Sequence, residues 1–321
     1  MPSKPLALAI PTYNRPSVLM ENLRHMLPEL KAHQVPVYIS DDSDNEDTRH
    51  LIELLKLEYD LIHYRRNTPS LGHDQNCIST LAWPEADYIW YMGDSIFFKA
   101  GSLGNILKAL ETQPEFVFLN SYVKDDIYHT GIIRNWKQFL MDTTWYLTLT
   151  GATIYSSRSL GTIKNKEFDA QKYPNFVQLA VVFEYFSRCS GNIYWFNETT
   201  IDVNKNKKSY WLKNAIKVFV VDWSNFIESI LIFNETEKSK IIRSHSAKTH
   251  LFGIVNLLLI RKYEGISFRL WVNYRKKIKK AFHLPSWIGL VVSLVPVQLV
   301  SLLLAFGKST RKMWNRDTKQ I

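Results

Sequence analysis

The stretch over residues 87–98 constrains the fold most. Tyr88-Ile89-Trp90-Tyr91-Met92 is an unbroken run of apolar and aromatic residues, the pattern of a strand covered on both faces within a parallel sheet. It stops at Gly93-Asp94-Ser95. In open α/β sheets the ligand crevice lies at the carboxyl ends of the strands, so Asp94 stands where a ligand would be met. A strand-ending Gly-Asp is also an ordinary turn, and the rest of the chain has to decide between the two.

The preceding residues alternate between short apolar runs and helical periodicity. Residues 6–10 are expected as a strand, ended by Pro11-Thr12-Tyr13-Asn14-Arg15-Pro16. Pro16 suits a first helical position, and Val18, Leu19, Leu23, Met26, Leu27 and Leu30 recur at helical spacing behind it. Residues 35–40, 61–64 and 87–92 give three further strands, with helices over 48–59 and 73–82 between them. Such alternation implies crossover connections and a mostly parallel sheet flanked by helices. Three successive strand ends then carry Thr12-Tyr13-Asn14, Asp41-Asp42 and Asp94, all at one edge of the sheet. Glycine-rich phosphate loops are absent, which leaves acidic and aromatic strand ends to bind a ligand.

Farther on, residues 101–110 read as a helix and 116–120 as a strand. Residues 145–154 read as a strand broken at Gly151, and 176–189 as an apolar helix whose one acid is Glu184. Cys77 and Cys189, the two cysteines of the chain, both fall in segments expected as core helices, which fits buried thiols in a reducing compartment. The apolar pattern begins almost at the N-terminus without a signal-peptide pattern, so a cytoplasmic location is expected.

The polar run over 202–209 marks the expected boundary between a domain of residues 1–203 and a helical region of 204–321. Residues 211–233 and 246–262 are its clearest helices. Charge divides at the same place. Residues 1–200 hold 18 Lys and Arg against 23 Asp and Glu, and residues 201–321 hold 22 against 7. The second region also carries the apolar segment 286–306, with Pro296 inside it and basic residues on both sides: Arg275, Lys276, Lys277, Lys279 and Lys280 before, Lys308, Arg311, Lys312 and Arg316 after. Its length reaches the minimum for a span. Two basic flanks favour instead a helix lying in the interface or a Pro-bent hairpin, so association with a membrane surface is expected, with spanning left open. No nucleic-acid recognition motif accompanies the basic residues, and no nucleic-acid partner is expected.

Four short motifs in this order resemble the family 2 glycosyltransferases of the GT-A fold, Rossmann-like α/β enzymes that transfer a sugar from a nucleotide donor with inversion. They are Pro11-Thr12-Tyr13-Asn14-Arg15, Asp41-Asp42-Ser43, Asn67 with Leu71-Gly72-His73-Asp74-Gln75-Asn76, and Gly93-Asp94-Ser95 at the place of the family's Asp-x-Asp signature. The resemblance implies a nucleotide-sugar site formed by Pro11, Thr12, Tyr13, Asn14, Asp41, Asp42, Gly72, Asn76 and Asp94. In it Thr12 and Tyr13 would wall the base, and Asp42, with Asp41, would accept from a uracil or thymine N–H. It also implies a divalent cation, Mn²⁺ or Mg²⁺, held by Asp94, although Gly93 and Ser95 flank a single carboxylate where the family has several. The family's Glu-Asp pair is not visible. Asp169, in a polar loop, is the expected general base and Glu184 the alternative. The expected reaction moves a sugar, with a UDP-sugar the preferred donor, to a lipid-linked saccharide at the cytoplasmic face of the inner membrane, in O-antigen or capsule synthesis. The rival is a membrane-bound adaptor that keeps the fold with a degenerate site.

Overall fold

The computed structural model describes residues 4–123, 127–204, 206, 211–302 and 304. They form two units, Met1–Lys207 and Lys208–Ile321.

The alternation in the first unit folds as β1 (Lys4–Thr12), α1 (Pro16–Ala32), β2 (Val37–Asp41), α2 (Asp47–Lys56), β3 (Ile62–Arg66), α3 (His73–Ala82) and β4 (Ala86–Tyr91). Pro16 occupies the first turn of α1, and the buried stripe of that helix includes Leu19, Leu23, Met26, Leu27 and Leu30. Beyond the Asp94 turn the chain continues through β5 (Ile96–Phe98), α4 (Ser102–Leu110), β6 (Phe116–Asn120), β7 (Gly131–Ile133), α5 (Trp136–Thr143), β8 (Thr153–Ser156), α6 (Gly161–Lys164), α7 (Val177–Arg188), β9 (Ile193–Thr199) and β10 (Ile201–Val203).

Eight strands form one sheet in the order β3-β2-β1-β4-β8-β6-β9-β7. The pairs β1–β2, β1–β4, β2–β3 and β6–β9 are parallel. Antiparallel β8 is inserted between β4 and β6, and antiparallel β7 closes the far edge. The expected mostly parallel sheet is present. Burial explains its apolar strands: Ile89, Trp90 and Met92 are at most 1% exposed, as are all four residues of Phe116–Leu119. A separate ribbon pairs β5 with β10 antiparallel.

Two local expectations are corrected. Residues 144–151 are turns and only Thr153–Ser156 is a strand. The aromatics that imitate a strand there, Trp145 and Tyr146, are buried from a turn conformation, and Gly151 takes φ +101°. Cys77 is buried as expected, with burial pushing its thiol up to about 12, but Cys189 caps the end of α7 and is exposed.

The second unit contains a π-helical turn at Lys217–Asp222 that runs into α8 (Trp223–Ser229), followed by α9 (Glu235–Thr249), α10 (Ile254–Lys262), α11 (Phe268–Ala281) and α12 (Ser286–Leu294). Asn234 and Glu237 form a reciprocal capping box at the start of α9. The helix expected over 246–262 is interrupted where His250 turns left-handed at φ +52°. The helix expected over 211–233 is present over 211–229, as a 3-10 turn at Trp211–Asn214, the π-helical segment and α8, and ends four residues early. The apolar segment is divided: α12 ends at Leu294, and residues 297–302 are helical again after Pro296. No helix among the described residues is long and apolar enough to cross a membrane. Residues 205, 207–209, 303 and 305–306, and the second basic flank, lie outside the described residues.

Candidate active site at the carboxyl edge of the sheet

Strand register alone assembles the site. Thr12 pairs with Asp41, and Asp41 with Arg66. On the other side of β1, Ala9 pairs with Tyr91, so three further residues along each chain bring Thr12 level with Asp94. The side chains meet: Thr12 Oγ1 donates to Asp94 Oδ2 at 3.2 Å, and Arg15 Nη1 donates to Asp94 Oδ1 at 3.1 Å. The Asp94 carboxylate is 9% exposed and the Arg15 side chain 28%. A nearly buried carboxylate so paired keeps a guanidinium at the edge of the crevice, where an anionic ligand would arrive.

The backbone of the turn is fixed from behind. Asn22 Nδ2 donates to the Asp94 carbonyl at 2.8 Å, and Asn204 Nδ2 donates to Asn22 Oδ1 at 3.0 Å. The Asn204 N–H donates to the Ser95 carbonyl at 2.8 Å. Asn22 and Asn204 are both buried. Asn204 also donates to Glu21 at 3.0 Å. This and a contact from Asn206 hold the Glu21 carboxyl below its ordinary value.

Asp42 has a different role from the expected one. Its Oδ1 accepts from the Leu71 N–H at 2.7 Å and Asn67 Nδ2 at 3.1 Å, and its Oδ2 from Ser70 Oγ at 2.7 Å and the Gly72 N–H at 2.8 Å. Four acceptances saturate a carboxylate, so Asp42 anchors the 67–72 loop and leaves no lone pair for a base. Burial pushes its carboxyl up, but these four hydrogen bonds outweigh burial and hold it below its ordinary value. Asp41, fully buried, accepts from Tyr64 Oη at 2.7 Å and the Ser43 N–H at 3.0 Å. Asn76 is buried too: Nδ2 donates to the Ser40 carbonyl at 3.2 Å, and Oδ1 accepts from Asn67 at 3.1 Å. Gly72 stands at φ +77° as the N-cap of α3. Asp41, Asp42 and Asn76 therefore shape the crevice from beneath, while Gly72 is exposed. Above them Pro11 is half-buried and Tyr13 and Asn14 are exposed, Tyr13 at 55%. Asn14, at φ +51°, is held by its N–H to Ser43 Oγ at 2.8 Å.

Among the described residues, the Gly93-Asp94-Ser95 turn offers a divalent cation one carboxylate. Among the described residues no three His, Cys, Asp or Glu side chains converge, and both Asp94 oxygens carry hydrogen bonds. The donor set fits Mn²⁺ or Mg²⁺ only where a bound diphosphate and water supply the remaining hard oxygen ligands.

The two expected bases lie on segments joined through Tyr173. Asp169 is exposed and caps the short helical turn Ala170–Lys172, accepting from the Gln171 N–H at 3.1 Å. That turn packs on α3, and the following loop reaches the first turn of α3, where the Asn175 N–H donates to Asp74 at 3.1 Å. Asp169 is thus on a segment packed on α3. Glu184 lies on α7. It accepts from Tyr173 Oη at 3.1 Å, pairs with Arg188, and lines a cavity of about 430 Å³ with Arg158 and Tyr185. Arg158 follows Ser157, whose N–H donates to the Asp87 carbonyl at the amino end of β4. At ~3.3 Å per residue, that end is roughly 20 Å from Asp94, and Glu167, two residues before Asp169, lines the same cavity as Glu184.

Residues 7–158 match the profile of Glycosyl transferase family 2. These residues belong to that family. The chain is 30% identical over 112 residues to the abequosyltransferase RfbV of Salmonella typhimurium, a match that spans 34% of this chain and 34% of RfbV. A longer similarity, 19% over 314 residues, covers 93% of this chain and 96% of the GalNAc(5)-diNAcBac-PP-undecaprenol beta-1,3-glucosyltransferase of Campylobacter jejuni. In fold, the chain is similar to S. aureus TarS 1–349 in complex with UDP-GlcNAc, with a TM-score of 0.55 at 11% identity over 88% of this chain and 82% of that one. The fold is GT-A, as the resemblance implied.

Sequence reasoning assigned no role to Arg15, Asn22 or Asn204. Arg15 was present in a quoted motif. Asn22 could have been found, since it is the polar residue one position before Leu23 in an otherwise apolar stripe of α1.

Proposed function

We propose that this glycosyltransferase moves a sugar, with inversion, from a nucleotide donor, a UDP-sugar, to a saccharide carried on a lipid, as a step in building a surface polysaccharide. The observation that carries the reading is the convergence of Thr12, Arg15 and Asp94 at the carboxyl edge of β1 and β4, inside a family 2 domain. The exposed Tyr13 ring offers a stacking face for the base. Arg15, already aimed at the Asp94 turn, stabilises negative charge on the departing diphosphate. A divalent cation, when bound with the donor, supplies further neutralisation of that charge. Asp169 accepts the proton of the acceptor hydroxyl as its oxygen bonds to the sugar and the bond to the nucleotide breaks. Similarity along nearly the whole chain to a glucosyltransferase named for an undecaprenol-linked substrate supports the lipid-borne acceptor. A carrier lipid and a soluble nucleotide donor meet at the cytoplasmic face of a membrane.

The test is nucleotide release from UDP-, GDP- and dTDP-sugars with and without Mn²⁺, in the presence of undecaprenyl-diphosphate-linked saccharides. Metal-dependent release of one nucleotide, lost in Asp94→Asn and reduced at least 100-fold in Asp169→Asn, is expected. No release from any donor would sink the transferase reading and favour a non-catalytic adaptor.

A further inference from the structure

We infer that the second unit docks on an anionic lipid surface through α12 and α11, entering one leaflet without spanning the bilayer. On α12, Trp287, Val291 and Leu294 are 61, 53 and 60% exposed, and their spacing of four and three residues puts them on one face. The opposite face is the packed one: Gly289, Val292 and Ser293 are buried, and a Cβ on Gly289 would come within 2.9 Å of the Phe282 ring. Beyond Pro296, Leu299 and Leu302 continue the exposed apolar series at 46 and 56%. The apolar residues that the fold leaves uncovered are therefore concentrated in the least charged stretch of the chain.

The neighbouring helix supplies the charge. Trp271 Nε1 of α11 donates to the Ser286 carbonyl at 3.1 Å, which ties α11 to the start of α12. Phe268 and Val272 of α11 are exposed. They are followed along that helix by exposed Arg275, Lys276 and Lys279. Apolar residues joined to a cationic stretch match a leaflet, whose acyl region takes the first and whose phosphate headgroups take the second. A protein partner would need its own acidic apolar surface, and a second copy would set like charges together. Length argues against a span. The nine residues of α12 reach about 13 Å at 1.5 Å per residue, under half of the roughly 30 Å hydrocarbon thickness. Arg261 Nε, bonded to the Val295 carbonyl at 2.9 Å, fixes the break between the two helical pieces.

The experiment is co-sedimentation of the full chain with phosphatidylglycerol/phosphatidylcholine vesicles and with phosphatidylcholine alone. Binding to anionic vesicles at least tenfold tighter than to neutral ones is expected. Val291→Asp/Leu294→Asp should abolish it, while Arg275→Glu/Lys276→Glu/Lys279→Glu should remove the preference for anionic lipid. Should the first pair fail to fold, Trp287→Ser/Leu299→Ser replaces it, with thermal melts as the control. A fluorophore on Val291→Cys, in a Cys189→Ser background, should be quenched more by nitroxide lipids labelled near the headgroup than by those labelled near the chain end. Equal binding by wild type and the α12 variants overturns the proposal, as does stronger deep quenching. A dimer in light scattering that the α12 variants dissociate also overturns it, in favour of a second copy.

Discussion

The side-chain amide of Asn22, on the first helix, donates to the backbone carbonyl of Asp94 across 2.8 Å. The contact holds the turn and leaves the carboxylate to Thr12 and Arg15. Its acceptor oxygen is in turn occupied by Asn204, so three segments distant in sequence meet at one peptide unit.

Asn22→Ala removes the buried hydrogen bond to the Asp94 carbonyl and one of the two acceptors of the Asn204 amide, a loss of about 1–3 kcal/mol. The expected outcome is a lowered melting temperature together with a donor KM raised severalfold. Asn204→Ala should do less alone. The double variant should be less than additive, because the two amides share one hydrogen-bond chain.

Gly72 has φ +77° and ψ 163°, a region close to glycine alone. A Cβ there would meet nothing within 4 Å, so Gly72→Ala carries backbone strain without a clash. A cost of about 1–3 kcal/mol is expected, read as a lower urea midpoint with an unchanged m-value.

Asp42 is held below its ordinary value in the fold, with burial opposing the hydrogen bonds that lower it. The unfolded chain then binds the proton more readily. The stability Asp42 contributes is present above the ordinary carboxylate pKa and is lost as pH falls through the lowered folded value. Asp42→Asn should be less stable at neutral pH and show a flatter fall in urea midpoint below about pH 4.

His245 lies between Phe219 and Trp223, with ring centroids 5.0 and 5.2 Å away, and its Nδ1 has no partner among the described residues. Burial holds it down at about 3 against an ordinary 6.5. The unfolded chain therefore takes up a proton below pH 6.5 that the fold does not. Stability should decline as pH drops from there toward 3, by up to about 1.4 kcal/mol per pH unit. His245→Phe should remove that slope in pH-dependent chemical denaturation; an unchanged slope would assign it to other groups.

The strands and helices of the first half were legible because each is a short apolar run or a helical stripe; the predicted bounds of α3 and β6 match the structure residue for residue. The antiparallel β8 was not, since Thr153-Ile154-Tyr155-Ser156 is two apolar residues between two hydroxyls and the buried aromatics Trp145 and Tyr146 imitate a strand ahead of it. The convergence of Thr12 and Asp94 was legible from strand ends alone, but the role of Asp42 was not. An acidic pair after a strand reads the same whether its oxygens meet a ligand or the chain's own donors, and the deciding partners, Asn67, the Ser70 hydroxyl and the 71–72 backbone, lie 25 to 30 residues away.

The β5–β10 ribbon has a practical consequence for dissecting the protein. The strand that follows Asp94 is completed by Ile201–Val203, and Asn204 lies immediately beyond. A catalytic fragment that ends where the large sheet ends, at Thr199, would keep every strand of that sheet and still lose the partner of β5 and the clasp on Ser95. The smallest autonomous form of this glycosyltransferase domain therefore has to extend at least through Asn204.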